Sequence, residues 1–146
     1  MQTADYTAIM TLNVSAADAF KSIQHVAGWW TADFTGQSEK RGDIFTVRFG
    51  ETFITLKIVE LVPDKKIGWQ VIDCYKHWLK DKKEWKDTKI NWEISADNNA
   101  TTIHFTHLGL VPGIECYHVC EKAWNFYLKE SLYKLLAMGE GGAGLR

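Results

Sequence analysis

The sequence predicts an α+β fold: a curved, six-stranded antiparallel sheet wrapped around one long C-terminal helix, in the order β-α-α-β-β-β-β-β-α. Three observations carry this expectation. Apolar and polar residues alternate with a period of two in successive segments, short turn sequences separate most of those segments, and a run of three- and four-residue apolar spacing follows Pro112-Gly113.

The first strand is read from Tyr6 to Val14, where Tyr6, Ala8, Met10, Leu12 and Val14 alternate with Thr7, Thr11 and Asn13. Ser15 then caps a short helix through Ala16, Ala19, Phe20 and Ile23, and Asp18 sits at the positive end of its dipole. Gly28, Trp29 and Trp30, followed by Asp33 to Gly42, read as a broken second helix running into a loop. The remaining strands run from Ile44 to Phe49, Phe53 to Val62, Ile67 to Asp73, Thr88 to Ser95 and Thr101 to Leu108. Gly50-Glu51, Pro63-Asp64-Lys65 and Asp97-Asn98-Asn99 supply turn chemistry, so these strands form an antiparallel meander. The lysine-rich connection from Tyr75 to Asp87 reads as an exposed excursion. A final amphipathic helix is expected from about Ile114 to Met138, roughly 38 Å long, with Gly139 ending it and a flexible glycine-rich tail over 139–146.

A chain of 146 residues with ordinary composition predicts one domain, with its core over about residues 4–138. Seventeen basic against 18 acidic side chains provide no long-range field for phosphate backbones or anionic lipids, so neither nucleic acid nor membrane is an expected partner. Met1 to Tyr6 shows no basic or apolar signal, which makes the expected location cytoplasmic. Cys74, Cys116 and Cys120 are expected as reduced thiols. The outlier is aromatic content, 13% with seven tryptophans, each a large surface to be buried or offered to a partner.

Alternation assigns a concave face of Phe45, Val47, Phe49, Ile67, Trp69, Val71, Ile90, Trp92, Ile94, Ile103, Phe105 and His107, faced by Trp124, Tyr127 and Ser131 of the final helix. This inventory holds no carboxylate and no lysine, so it lacks paired acids, a buried carboxylate base or a Schiff-base amine. It does hold donors on aromatic bodies, as a cavity that orients a small hydrophobic molecule would. The same aromatics could instead simply fill the core. Trp29-Trp30 either closes the mouth of a cavity or anchors a short helix.

In Glu115-Cys116-Tyr117-His118-Val119-Cys120, the two cysteines share a helix face while His118 points roughly 200° away, so the three do not converge on a metal. Lysines and tryptophans interleave from Lys76 to Lys86. Asp81, Glu84 and Asp87 offset them, favouring a solvated loop with Trp78 or Trp85 tucked against the domain over a nucleic-acid surface.

The pattern Trp85-Lys86-Asp87-Thr88-Lys89-Ile90-Asn91-Trp92-Glu93-Ile94, then Thr106-His107-Leu108-Gly109-Leu110, then Glu115-Cys116-Tyr117 with Cys120, Trp124, Tyr127 and Ser131-Leu132, resembles the START-like SRPBCC superfamily. Within it, the likeness is to single-domain bacterial proteins similar to the C-terminal domain of the activator of heat-shock protein 90 ATPase. The resemblance spans about residues 4 to 140 and implies a helix-grip fold with a cavity between sheet and helix. Relatives more often carry glycine where this chain has Asp87. The superfamily resembles a set of hydrophobic-ligand binders without one shared catalytic constellation, so it implies no catalytic residue here.

The expected function is therefore binding of a small hydrophobic or aromatic molecule by Trp29, Trp30, Phe49, Trp69, Trp92, Phe105, His107, Trp124 and Tyr127, with no metal and no cofactor. The alternative is a co-chaperone-like interaction module whose partner is a chaperone, docking on the excursion or on Trp29-Trp30. A third is a polyketide cyclase or dehydratase using His107 and Tyr127 as acid and base. The expected assembly is a monomer or weak homodimer.

Overall fold

Strict alternation makes β1 (Tyr6–Leu12) half-buried, with Tyr6, Ala8, Met10 and Leu12 inward. The computed structural model of the chain describes residues 5–97 and 100–138, so the expected tail over 139–146 and Asn98-Asn99 of the third turn lie outside the described residues. Ser15 caps α1 (Ala16–Gln24) by accepting the Asp18 N–H at 3.0 Å, and the helix buries Ala19 and Ile23. A single turn, α2 (Val26–Trp29), follows.

The next element is a strand, not the loop read from the sequence. β2 (Phe34–Gly36) pairs with β3 (Ile44–Phe49), and three residues are too few for alternation to show. β4 (Thr52–Val62), β5 (Lys66–Tyr75), β6 (Lys89–Asp97) and β7 (Ala100–Leu108) complete one antiparallel sheet of seven strands in the order β1-β7-β6-β5-β4-β3-β2. The α+β sheet-around-helix architecture stands, with one strand more than expected.

Two irregularities position the site. Between β4 and β5 the register shifts: Leu56 faces Val71 while Thr55 faces Asp73, leaving Ile72 as an extra residue. A bulge of this kind reverses the side-chain alternation. Ile67, Trp69 and Val71 point inward before it; Cys74 and then Lys76 are the buried positions after it.

The second irregularity is in the final helix, which begins at Tyr117 rather than Ile114. It comprises α3 (Tyr117–Phe126), a π-helical segment (Tyr127–Leu132) and α4 (Tyr133–Met138). Cys116, Cys120, Trp124, Leu128, Leu132 and Leu136 are all buried, one every four residues. That spacing outruns 3.6 residues per turn, and the wider π turn holds the later members toward the sheet. Cys116 and Cys120 are joined in a disulfide with Cα atoms 5.6 Å apart, which corrects the expectation of reduced thiols for this pair; Cys74 is free and buried. One-turn spacing is what brings the two sulfurs together. No helix among the described residues is long and apolar enough to cross a membrane.

Candidate functional site

The sheet's inner face carries the residues that alternation assigned to it. Phe45, Val47, Ile67, Trp69, Val71, Ile90, Trp92, Ile103, Phe105 and His107 are all essentially inaccessible. In the deeper half of this interior the aromatics pack solidly. Trp29, Trp30 and Trp69 lie nearly parallel with centroids 5.6, 6.5 and 6.1 Å apart, and Trp92 meets Trp29 and Trp69 edge-on at 5.6 and 5.5 Å. Trp29 is anchored by its indole N–H on the Ile23 carbonyl, 3.1 Å, and its own carbonyl accepts the Ser131 hydroxyl at 2.5 Å. Trp29 is thus the anchor of the pair, while Trp30 reaches a cavity described below.

His107 is held from both sides. The Trp124 indole N–H donates to Nδ1 at 3.1 Å, and because an indole only donates, Nδ1 is an acceptor and the ring proton sits on Nε2. Nε2–H donates to Thr88 Oγ1 at 2.9 Å, and that hydroxyl donates to the Trp85 carbonyl at 2.6 Å. Gly109, at φ +104°, leaves room for this relay, since a Cβ there would lie 2.7 Å from Thr88 Cγ2. Burial, with Lys76 adding to it, pushes the His107 pKa down to about 3. A neutral imidazole with both nitrogens engaged is a positioning device for Trp124 and Trp85. Asp87, where glycine is usual in the resembling family, takes φ +74° and donates its N–H to the Val71 carbonyl at 2.8 Å, so the aspartate occupies the conformation glycine would favour.

The space in the interior lies at its outer end. A cavity of about 350 Å³ opens between β4, the final helix and the segment after β5. Of the nine expected ligand-binding residues, Trp30, Phe49, Trp124 and Tyr127 line it; Trp29, Trp69, Trp92, Phe105 and His107 belong to the packed region behind it. Thr52, Ile54, Lys76, His77, Trp78, Trp85, Val119, Cys120 and Ala123 complete the wall. A larger groove of about 880 Å³, between α1 and β2, is lined by none of the nine.

The excursion from Tyr75 to Asp87 forms one side of this cavity and is not simply exposed: Lys76, Leu79 and Trp85 are buried, and Trp78 is 41% exposed. It is tied down by its own polar groups. Lys82 Nζ donates to the His77 and Leu79 carbonyls at 3.1 and 2.8 Å, and the Glu84 carboxylate accepts the Glu115 and Cys116 N–H groups at 3.1 and 3.0 Å, just ahead of α3. Lys76 Nζ lies over the Trp85 ring at 4.0 Å from its centroid and 5.7 Å from that of Trp78. Burial pushes its pKa down to about 8.

Lys76 corrects the reading that no lysine reaches this interior. Strict alternation from Trp69 puts position 76 outward; the bulge at Ile72 turns it inward. The signal available beforehand was the interleaving of Lys76, Trp78 and Trp85, which marks cation–aromatic packing as readily as a solvated loop.

Comparison with known proteins places this geometry. The sequence model of the family described as "Activator of Hsp90 ATPase homolog 1-like protein" matches residues 18–137. No curated protein matches the chain. The solution structure of the Aha1 dimer from Colwellia psychrerythraea is similar, with TM-score 0.76 and 22% identity over 94% of this chain and 99% of that one. DynU16, from the dynemicin biosynthetic locus, superposes with TM-score 0.72 and 13% identity over 94% of this chain and 48% of its own. CalU16 from Micromonospora echinospora gives 0.65 and 10%, over 92% and 74% respectively. At these identities the likeness is one of fold.

Proposed function

We propose that this chain, which belongs to the family of Activator of Hsp90 ATPase homolog 1-like proteins, binds a small molecule with an apolar or aromatic body between its sheet and final helix. The observation that carries the reading is the cavity of about 350 Å³ walled by Trp30, Phe49, Trp78, Trp85, Trp124 and Tyr127. Its volume falls within the ordinary range for small-molecule sites, and an apolar wall with few polar points is their usual chemistry. Cyclase or dehydratase chemistry on His107 and Tyr127 finds no support in the geometry, because both ring nitrogens of His107 are bonded within the protein.

The test is native mass spectrometry of freshly purified protein beside the neutral fluorophore N-phenyl-1-naphthylamine as a probe. A bound mass lost on denaturation, or saturable probe binding abolished in Ala123→Phe, which fills the cavity from the helix side, is expected. Unchanged probe binding in a folded Ala123→Phe would place the site elsewhere.

A second reading is docking to a chaperone, as the family's description suggests, and one observation favours it: Trp78 is 41% exposed on the excursion. Trp29 and Trp30, the other surface considered, are buried. Retention of a heat-shock protein 90-type chaperone by wild type and its loss in Trp78→Ala is the expected result on this reading.

A further inference from the structure

Resting on the binding reading above, we infer that the cavity selects anions: its ligand is an apolar or aromatic carboxylate whose charge is met by Lys76 Nζ. The Lys76 side chain is only 6% exposed, yet among the described residues its ammonium takes part in no salt bridge and no hydrogen bond. The residue is largely withdrawn from solvent while its Nζ is not among the fully buried atoms and lines the cavity, and an ammonium so placed without a counter-charge is costly, such groups in proteins normally being paired. Among the described residues its close partners are two indole faces, which hold the charge but accept none of its three protons in a conventional hydrogen bond.

The protein withholds its own anions from this amine. Among the described residues no aspartate or glutamate lines the cavity. The carboxylate that acts on Lys76 through space, Glu84, is committed to the backbone N–H groups of Glu115 and Cys116. An apolar chamber that contains a fixed cation and, among the described residues, no carboxylate is complementary to a molecule carrying an acidic group on an aromatic body. Burial leaves the amine with a pKa of about 8, so it remains largely charged at neutral pH.

The test compares 2-naphthoate with its neutral isostere 2-naphthamide by isothermal titration calorimetry on the full chain at pH 7, for wild type, Lys76→Gln and Lys76→Met, each checked for folding by circular dichroism. Wild type is expected to bind the carboxylate at least tenfold more tightly than the amide. Both variants should bring the two affinities within twofold while changing the amide's by less than threefold. Two variants are used so that misfolding of one leaves the other informative. Equal affinity of the two probes for wild type, or a tenfold preference that survives in Lys76→Gln, overturns the inference and leaves the apolar cavity standing. Failure of both probes to bind at millimolar concentration overturns the inference together with the binding reading.

Discussion

The two ends of this interior use the same residue types to opposite effect. At the deep end, Trp29, Trp69 and Trp92 pack on one another and Phe105 meets Trp92, and His107 is closed into a relay running from Trp124 to the Trp85 carbonyl. At the outer end, Trp30, Trp78, Trp85 and Trp124 surround a space of about 350 Å³, and Lys76 is left without an anion. Aromatic composition is common to both. What separates core from site is whether the rings close on one another or leave a space with a charge beside it, since the buried indole N–H groups of Trp69 and Trp92 at the deep end, like that of Trp85 at the outer end, have no acceptor among the described residues.

That contrast is open to test, and the largest effect is expected in the deep end. Trp92→Ala should cost about 3–5 kcal/mol of unfolding free energy, measured by urea denaturation, because the rings around it leave no room for collapse. A loss below about 1 kcal/mol would mean that the deep end is not packed as described.

The relay adds a pH dependence of known sign. His107 has a pKa near 3 when folded and an ordinary value near 6.5 when unfolded, so between these limits the unfolded chain binds the additional proton. Stability is therefore fully present above about 6.5 and falls on acidification, with a limiting slope of about 1.4 kcal/mol per pH unit from this group. Denaturation midpoints taken between pH 7 and 4.5, with nitrogen NMR of the ring, would check it. A His107 that protonates near pH 6 in the folded protein contradicts the relay.

At the outer end the sign reverses. Lys76→Met removes a buried charge without an anion and forfeits only contacts to two indole faces, so the ligand-free protein should gain roughly 1–2 kcal/mol in the same urea experiment. Destabilisation would show that Lys76 is there to hold the loop. The smallest effect belongs to Trp78→Ala, which should leave unfolding within about 0.5 kcal/mol of wild type, its side chain being partly in solvent, while weakening probe binding.

How much of this was legible in advance follows the same division. Inward positions of β3, β5, β6 and β7 were readable because regular strands alternate, and Ser15 announced α1 through its cap. Phe34 to Gly36 escaped because three residues establish no period. Lys76 escaped because it was read in a solvated excursion after a strand ending at Asp73, whereas the strand runs to Tyr75 and the extra residue Ile72 turns the position that follows it inward. Nor could any pattern distinguish the packed tryptophans from those lining a space, since both are apolar and inward; only the relative placement of α2, the excursion and the final helix decides that. The Cys116–Cys120 bond was discounted because three cysteines cannot all pair and a domain of this size needs no staple, although the one-turn spacing permitted it.

The π-helical segment has a consequence for how the chain tolerates changes in length. A π turn is an α turn carrying one additional residue. Removing a residue between Tyr127 and Leu132 would leave a continuous α-helix whose two ends still face the sheet, whereas removing one from α3 would swing every later side chain by about 100°. A one-residue deletion in the final helix of this chain is therefore expected to be absorbed here without undocking either end.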